Sequence, residues 1–255
     1  TPARWLLTFH PGSFAGLQVI LSALIGGHAL IAPPCDASVA EMADLAVRRQ
    51  ATHISGTPTF WRAFLMALGG RTPDLRAVTL GGEAADQAIL DALRARFPNA
   101  ALRHIYATTE AGRVLTVGDG REGFPLAMLT GRLSLSEHGT LRVGGLDTGD
   151  AVEVAGDRVL FRGRLDTMVN IGGVKVFPET VEAFILRHPG VQDVRVSPRP
   201  NPITGHVLTA DMVLKPFADQ NDVKAHLSGL PRAQRPVLTR FVESLPTGQT
   251  GKKLR

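Results

Sequence analysis

An α/β fold built on a parallel sheet is predicted for the first hundred residues, on three observations. Short apolar runs alternate with segments of helical length, several of those segments open on cap residues, and polar stretches, one of them glycine-rich, follow two of the runs. Strands separated by helices need right-handed crossovers, and so they pair in parallel. Beyond residue 112 the pattern changes, and a small antiparallel β subdomain and a C-terminal α+β domain are expected.

The elements follow in order. Trp5 to Phe9 reads as a buried strand, Ser13 to Ile25 as an apolar helix, and Ala29 to Ala32 as a strand closed by Pro33-Pro34. The apolar stretch from Phe14 to Gly27 is shorter than the roughly 20 residues that span a bilayer, so a buried helix and no membrane span are expected. Ser38 and Glu41 form a capping-box pattern opening a helix to about Gln50. After a strand at Thr52 to Ser55, Thr57 and Pro58 make an N-cap and first-turn pair for a helix reaching Leu68. Leu75 to Leu80 is a strand ending in Gly81-Gly82-Glu83, and Asp86 caps a helix to Phe97. Ala101 to Tyr106 is a strand ending in Ala107-Thr108-Thr109-Glu110. Ligands of such sheets bind beyond the carboxyl ends of strands, so these two ends are the ones expected to meet one.

From Arg113 to Leu165 short β runs are separated by glycines, as in an antiparallel subdomain. After Asp166 come a hairpin around Gly172-Gly173, a helix from Pro178 to Arg187, strands at Val191 to Val196 and His206 to Leu214, a helix from Asp219 to Leu230, a strand at Leu238 to Glu243, and a Gly-rich loop. That last portion, roughly 90 residues, is large enough to be its own small domain, so the chain divides into residues 1–165 and 166–255.

Composition narrows the class. Residues 187–255 carry eleven Lys and Arg against five Asp and Glu, a net +6, while the rest of the chain carries −1, giving +5 in all. It suggests an anionic partner. Dispersed basic residues without interleaved aromatics speak less for nucleic acid, and a phosphate-bearing small molecule fits equally. The single cysteine, Cys35, excludes internal disulfides and multi-cysteine metal sites. With no basic segment before an apolar one near Thr1, a cytoplasmic location is expected.

Single motifs have ordinary readings beside functional ones. Asp147 to Asp150, DTGD, is a turn composition, or it supplies Asp150 as an acceptor for a ribose diol. Tyr106 is a core residue or a stacking platform, and Arg164 a surface charge or a ligand contact. Glu110 beside Thr109 is a solvated helix start, or a Mg²⁺ carboxylate next to a phosphate-binding hydroxyl. His10 is by default a satisfied buried histidine. The loop LPTGQTGKKLR is a basic tail, or it delivers one lysine to charge developing in a transition state.

Their order is more specific. GGE, YATTE, DTGD, GRLDTMVNIGG with PETVE, HPGV and LPTGQTGKKLR together resemble the ANL superfamily of adenylate-forming enzymes, over essentially the whole chain. The resemblance implies that Tyr106 lies against adenine, that Gly81, Gly82 and Glu83 line the adenine and acyl pocket, and that Thr109 contacts phosphate while Glu110 binds Mg²⁺. It implies that Asp150 and Arg164 hold the ribose, Asp166 is the hinge of a mobile C-terminal lid, Gly172 and Gly173 form the hairpin that admits the thiol, and Lys252 is catalytic. The implied activity is activation of a carboxylic acid by ATP as acyl-AMP, then transfer to a thiol, that of coenzyme A. The alternatives are an adenylation domain loading a carrier protein's phosphopantetheine, and a non-catalytic nucleotide-binding relic. No nucleic-acid partner is implied.

Three departures qualify this pattern. The family's phosphate loop is absent and is expected N-terminal to Thr1, so the chain reads as the C-terminal part of such an enzyme. Ala107 stands where glycine is usual, turning a methyl toward the nucleotide, and residues 139–150 are abbreviated. Where amino-acid-activating relatives carry an aspartate, the matching position is His10, expected in the acyl pocket, and an unpaired ammonium there would be costly. An acid without an α-amine follows.

Overall fold

Burial alternates along the central strands, and that alternation shows how the sheet is layered. The computed structural model describes residues 2–108 and 111–246, which fall into two units, residues 2–122 and 123–246. In the first, β1 (Arg4–Leu6), β2 (Ala29–Ile31), β3 (His53–Gly56), β4 (Ala77–Gly81), β5 (Ala101–Thr108) and β6 (Gly112–Val117) form a sheet in the order β2-β1-β3-β4-β5-β6. The first five are parallel and β6 runs antiparallel to β5. Leu6, Ile54, Val78 and Leu80 are buried in a core with Trp61, Phe64, Leu68, Leu90 and Leu93. The intervening residues Trp5, His53, Ser55, Ala77 and Thr79 are only half-buried.

The helices are α1 (Phe14–Ile25), α2 (Val39–Arg48), α3 (Pro58–Leu68) and α4 (Gln87–Arg96). Short polar side chains start all four. Ser13, Ser38, Thr57 and Asp86 each accept a first-turn amide, satisfying a donor the helix itself cannot pair, and Glu41 completes the box at Ser38.

Two sequence expectations need correction. Helix α1 is not buried: Gly16, Val19 and Ala23 are, but Phe14, Leu17, Leu21, Leu24 and Ile25 are exposed. It packs through a narrow stripe of small residues, and a Cβ on Gly16 would stand 2.1 Å from the His10 carbonyl oxygen. An all-apolar helix does not reveal which of its faces has a partner. Second, Arg113 and its neighbours do not begin the β subdomain. They form β6, which pairs with β5 from His104↔Val117 to Thr108↔Gly112 and closes the edge of the main sheet.

The second unit holds an antiparallel sheet in the order β7-β11-β10-β9-β8, from β7 (Phe124–Pro125), β8 (Leu133–Leu135), β9 (Thr140–Val143), β10 (Leu146–Ala155) and β11 (Arg158–Arg164). Then come the hairpin β12 (Val169–Ile171) and β13 (Val174–Val176), helix α5 (Pro178–Ile185), strands β14 (Val191–Asn201) and β15 (Gly205–Leu214), helix α6 (Gln220–His226) and β16 (Leu238–Phe241). The sheet β14-β15-β16 shares one core with α5 and α6 through Val181, Ile185, Val194, Met212 and Val223.

Asp211 in the middle of β15 ties this sheet across its width. Its cross-strand neighbours are Arg195 on β14 and Arg240 on β16, which donate to it at 2.6 and 2.7 Å. Burial alone would raise the Asp211 carboxyl, but the hydrogen bonds from Arg240 and Arg195 outweigh it and hold the group below its ordinary value. The stabilisation is therefore full above the unfolded-state value of about 3.9 and is lost as pH falls through the lower folded value. Asp211→Asn should cost about 2 kcal/mol at pH 7. Denaturant titrations at pH 7 and pH 3 should show the gap between variant and wild type narrowing at the lower pH.

Candidate functional site

In the first unit, the candidate residues follow the carboxyl ends of parallel strands. Gly81 ends β4, and Gly82 turns with φ +82°, a conformation that favours glycine. Glu83 comes next and does not point into open space: its Oε2 accepts from the Thr59 amide at 3.1 Å and the Thr59 hydroxyl at 2.8 Å. The carboxylate thus lies at the N-terminus of α3, where backbone amides and the helix dipole favour negative charge. Tyr106 is half-buried and Ala107 exposed, at a register shift in the β5–β6 pairing. Thr109 and Glu110 lie outside the described residues. Among the described residues no group of three His, Cys, Asp or Glu side chains gathers as a metal site.

His10 is exposed, not the buried histidine expected by default. Its Nδ1 accepts the Gly12 amide at 3.1 Å, which leaves the proton on Nε2 when the ring is neutral. Its carbonyl accepts from the amide and hydroxyl of Ser13, the cap of α1. The His10 loop and the start of α1 are therefore one structure.

In the second unit, the structure joins Asp150 and Arg164, which the sequence separates by a hairpin. They are register partners on β10 and β11, with Arg164 Nη1 3.3 Å from Asp150 Oδ1. Arg164 Nε also reaches Asp166, at 3.2 Å, and Nη1 donates to the Thr148 carbonyl. DTGD is a bulged strand rather than a free turn. Asp147 accepts from the Gly149 amide and the Thr140 hydroxyl, which hold its carboxyl below the ordinary value, and the β9–β10 register shifts between Asp147 and Ala151. The bulge re-aims Asp150.

Asp166 lies in the exposed turn Leu165–Thr167. Gly172 and Gly173 are the two turn residues of the β12–β13 hairpin, with φ +57° and +89°. Both angles are positive, as the tightest hairpin turn requires, so glycine is needed here for the backbone itself. Lys252 lies outside the described residues.

Sequence reasoning missed the partners that hold these groups. Thr59 fixes Glu83, and the Thr167 hydroxyl lies 2.9 Å from the Arg164 carbonyl and 3.0 Å from Glu179 Oε1. The second glutamate of PETVE, Glu182, accepts from the Val196 amide at 2.8 Å. The spacing within PETVE was visible, but not the long-range partners.

Residues 3–138 match the family model described as AMP-binding enzyme, and residues 180–252 match the AMP-binding enzyme C-terminal domain. The chain belongs to the AMP-binding enzyme family. It is 27% identical over 217 residues to 4-coumarate–CoA ligase-like 1 of Arabidopsis thaliana, covering 66% of this chain and 40% of that protein. It is 27% identical over 252 residues to a plipastatin synthase of Bacillus subtilis, covering 80% of this chain and 7% of that protein. The fold matches the amide bond synthetase McbA of Marinactinospora thermotolerans with a TM-score of 0.75 at 21% identity, over 99% of this chain and 61% of that one. It also matches an o-succinylbenzoate CoA synthetase from Bacillus subtilis, in complex with an acyl-adenylate intermediate, with a TM-score of 0.67 at 21% identity, over 99% and 60%. The chain thus spans less than two thirds of the length of these relatives.

The expectation that Asp150 and Arg164 hold a ribose has a direct test. Arg164 is more than half exposed, so the ion pair itself adds little stability and Asp150→Ala should fold. Hydrogen bonds to a charged acceptor contribute on the order of 1.5–3 kcal/mol, so AMP should bind about ten-fold weaker or worse. Calorimetric titration with AMP checks this, and unchanged affinity would leave DTGD with a purely structural role.

Proposed function

We propose that the chain works in an ATP- and Mg²⁺-dependent acid–thiol ligase. A carboxylate attacks the α-phosphorus of ATP, the bond to pyrophosphate breaks, and acyl-AMP forms. A thiol, that of coenzyme A, then attacks the acyl carbon and AMP leaves. The observation that carries this reading is the pairing of Asp150 with Arg164 on adjacent strands, in a chain matching both parts of the AMP-binding family. An ionised carboxylate accepts at both oxygens, so Asp150 can serve a guanidinium and ribose hydroxyls together.

The remaining roles follow the family pattern. Gly81, Gly82, Glu83, Tyr106 and Ala107 bound the adenine, and Thr109 donates to phosphate. Glu110 is the candidate ligand for Mg²⁺, which when bound neutralises phosphate charge. Lys252 bridges the carboxylate and α-phosphate in the first half-reaction. The C-terminal portion then turns about Asp166, and the Gly172-Gly173 hairpin serves the second. His10 stands where a carboxylate would be needed to pair an ammonium, which favours an acid lacking an α-amine.

Lys252→Ala separates the halves. Acyl-AMP formation, read by hydroxamate trapping with aryl and alkyl acids, should slow by roughly 10²–10³, the scale for losing one transition-state stabiliser. Thioester formation from supplied acyl-AMP should be nearly spared. Equal losses in both steps would defeat the rotating account, and a preference for an α-amino acid over its desamino analogue would defeat the role of His10.

A further inference from the structure

The Gly82–Asp86 loop is bolted at both ends to a single face of α3. Glu83 at its start accepts from the amide and hydroxyl of Thr59. Asp86 at its end accepts from Arg62 Nη2, and its other oxygen caps α4 by accepting the Ile89 amide at 3.1 Å. Thr59 and Arg62 are three residues apart, and so are Glu83 and Asp86. Residues three apart on a helix share a face, so one rigid surface addresses two carboxylates of the loop. Thr59 is 5% exposed and Arg62 7%. Helix α3 is itself anchored: the Trp61 indole N–H donates to the Thr79 carbonyl on β4 at 3.0 Å, and Thr57 caps the helix through the Phe60 amide.

These ties are costly as mere structure. A buried guanidinium must be matched by a carboxylate to offset its desolvation, and an apolar pair of similar shape would often serve stability as well. What the charged arrangement adds is direction. It fixes the path of a loop whose Gly82 backbone is left-handed and whose first residues follow a parallel strand end.

We propose that Thr59 and Arg62 are positioning residues for the nucleotide. They do not touch it, but through Glu83 and Asp86 they hold the Gly82–Ala85 backbone in the conformation that receives the adenine base. The inference rests on the nucleotide reading above. It adds to that reading a pair of buried residues on the helix behind the loop.

Thr59→Val is isosteric and removes the hydroxyl donor, while Thr59→Ser keeps it. Three readouts are taken on each variant and on wild type: thermal unfolding, amide hydrogen exchange over residues 82–86, and calorimetric titration with AMP. The expected result is faster exchange in the loop and about five- to ten-fold weaker AMP binding in Thr59→Val, the scale of one ordinary net hydrogen bond, with Thr59→Ser near wild type. A lowered unfolding midpoint with AMP affinity unchanged overturns the proposal, because Thr59 would then be structural only. Wild-type protein that binds no AMP overturns the nucleotide reading itself, a result distinct from the first. Should Thr59→Val fail to fold, Arg62→Lys keeps the charge and shortens the reach to Asp86. Faster loop exchange with weaker AMP binding in that folded variant supports the clamp, and unchanged binding overturns it.

Discussion

Parallel strands carry all their carboxyl ends to one edge of the sheet, and no short turn can lead from one to the next. Every connection between the five parallel strands of the first unit must therefore leave that edge, cross a face as a helix and return. The loops leaving that edge are free of the ladder's hydrogen bonding, and the helices that follow begin there with unpaired amides. This is why Ser13, Thr57 and Asp86, all caps, cluster in the stretches that also hold the candidate site residues His10, Gly82 and Glu83. Glu83 uses one of those amides directly. The chemistry of the site and the chemistry of starting a helix draw on the same donors.

Much of this was legible in the sequence because it is local. A cap acts over three residues, so Ser38 with Glu41 and Thr57 with Pro58 announce their helices without any tertiary knowledge. The Gly172-Gly173 turn is equally local, since two positive φ angles between β-prone residues leave few alternatives to glycine. Long-range facts were legible only where a family pattern carried them. Asp150 and Arg164 were assigned to one task from their motifs, and their meeting across β10 and β11 supplies the geometry. Thr59 and Glu83, 24 residues apart, belonged to no shared motif and so their contact went unread.

The failures have a common physical cause. Periodicity reports how many faces of an element are apolar, not whether a neighbour covers them. Helix α1 is apolar almost all round, which reads as buried, yet only its small-residue stripe is packed. Strand β6 shows an ordinary antiparallel pattern, and nothing local in it distinguishes the edge of the main sheet from the subdomain that follows. The central strands give the complementary case. Parallel strands covered on both faces are usually apolar at every position, whereas β3 and β4 alternate buried and half-buried residues. Their sequences HISG and AVTLG already contain that alternation.

Within the second unit the ionic contacts sort by burial. Asp211 and Glu182 are buried, and each holds its partners at 2.6 to 2.8 Å within or against the β14–β15 sheet. Breaking either leaves an uncompensated buried charge, which keeps that sheet and α5 together as one body. Around the Leu165–Thr167 turn the contacts are of another kind. Arg164 divides its guanidinium among Asp150, Asp166 and a backbone carbonyl, all at 3.2 to 3.3 Å and with most of the side chain exposed. Water can replace any of these at small cost. The chain thus places its strong electrostatics inside the C-terminal α+β portion and its exchangeable electrostatics at the turn leading into it. The rotation proposed about Asp166 would draw on that distribution, because the strain of movement would then fall on contacts that solvent can replace.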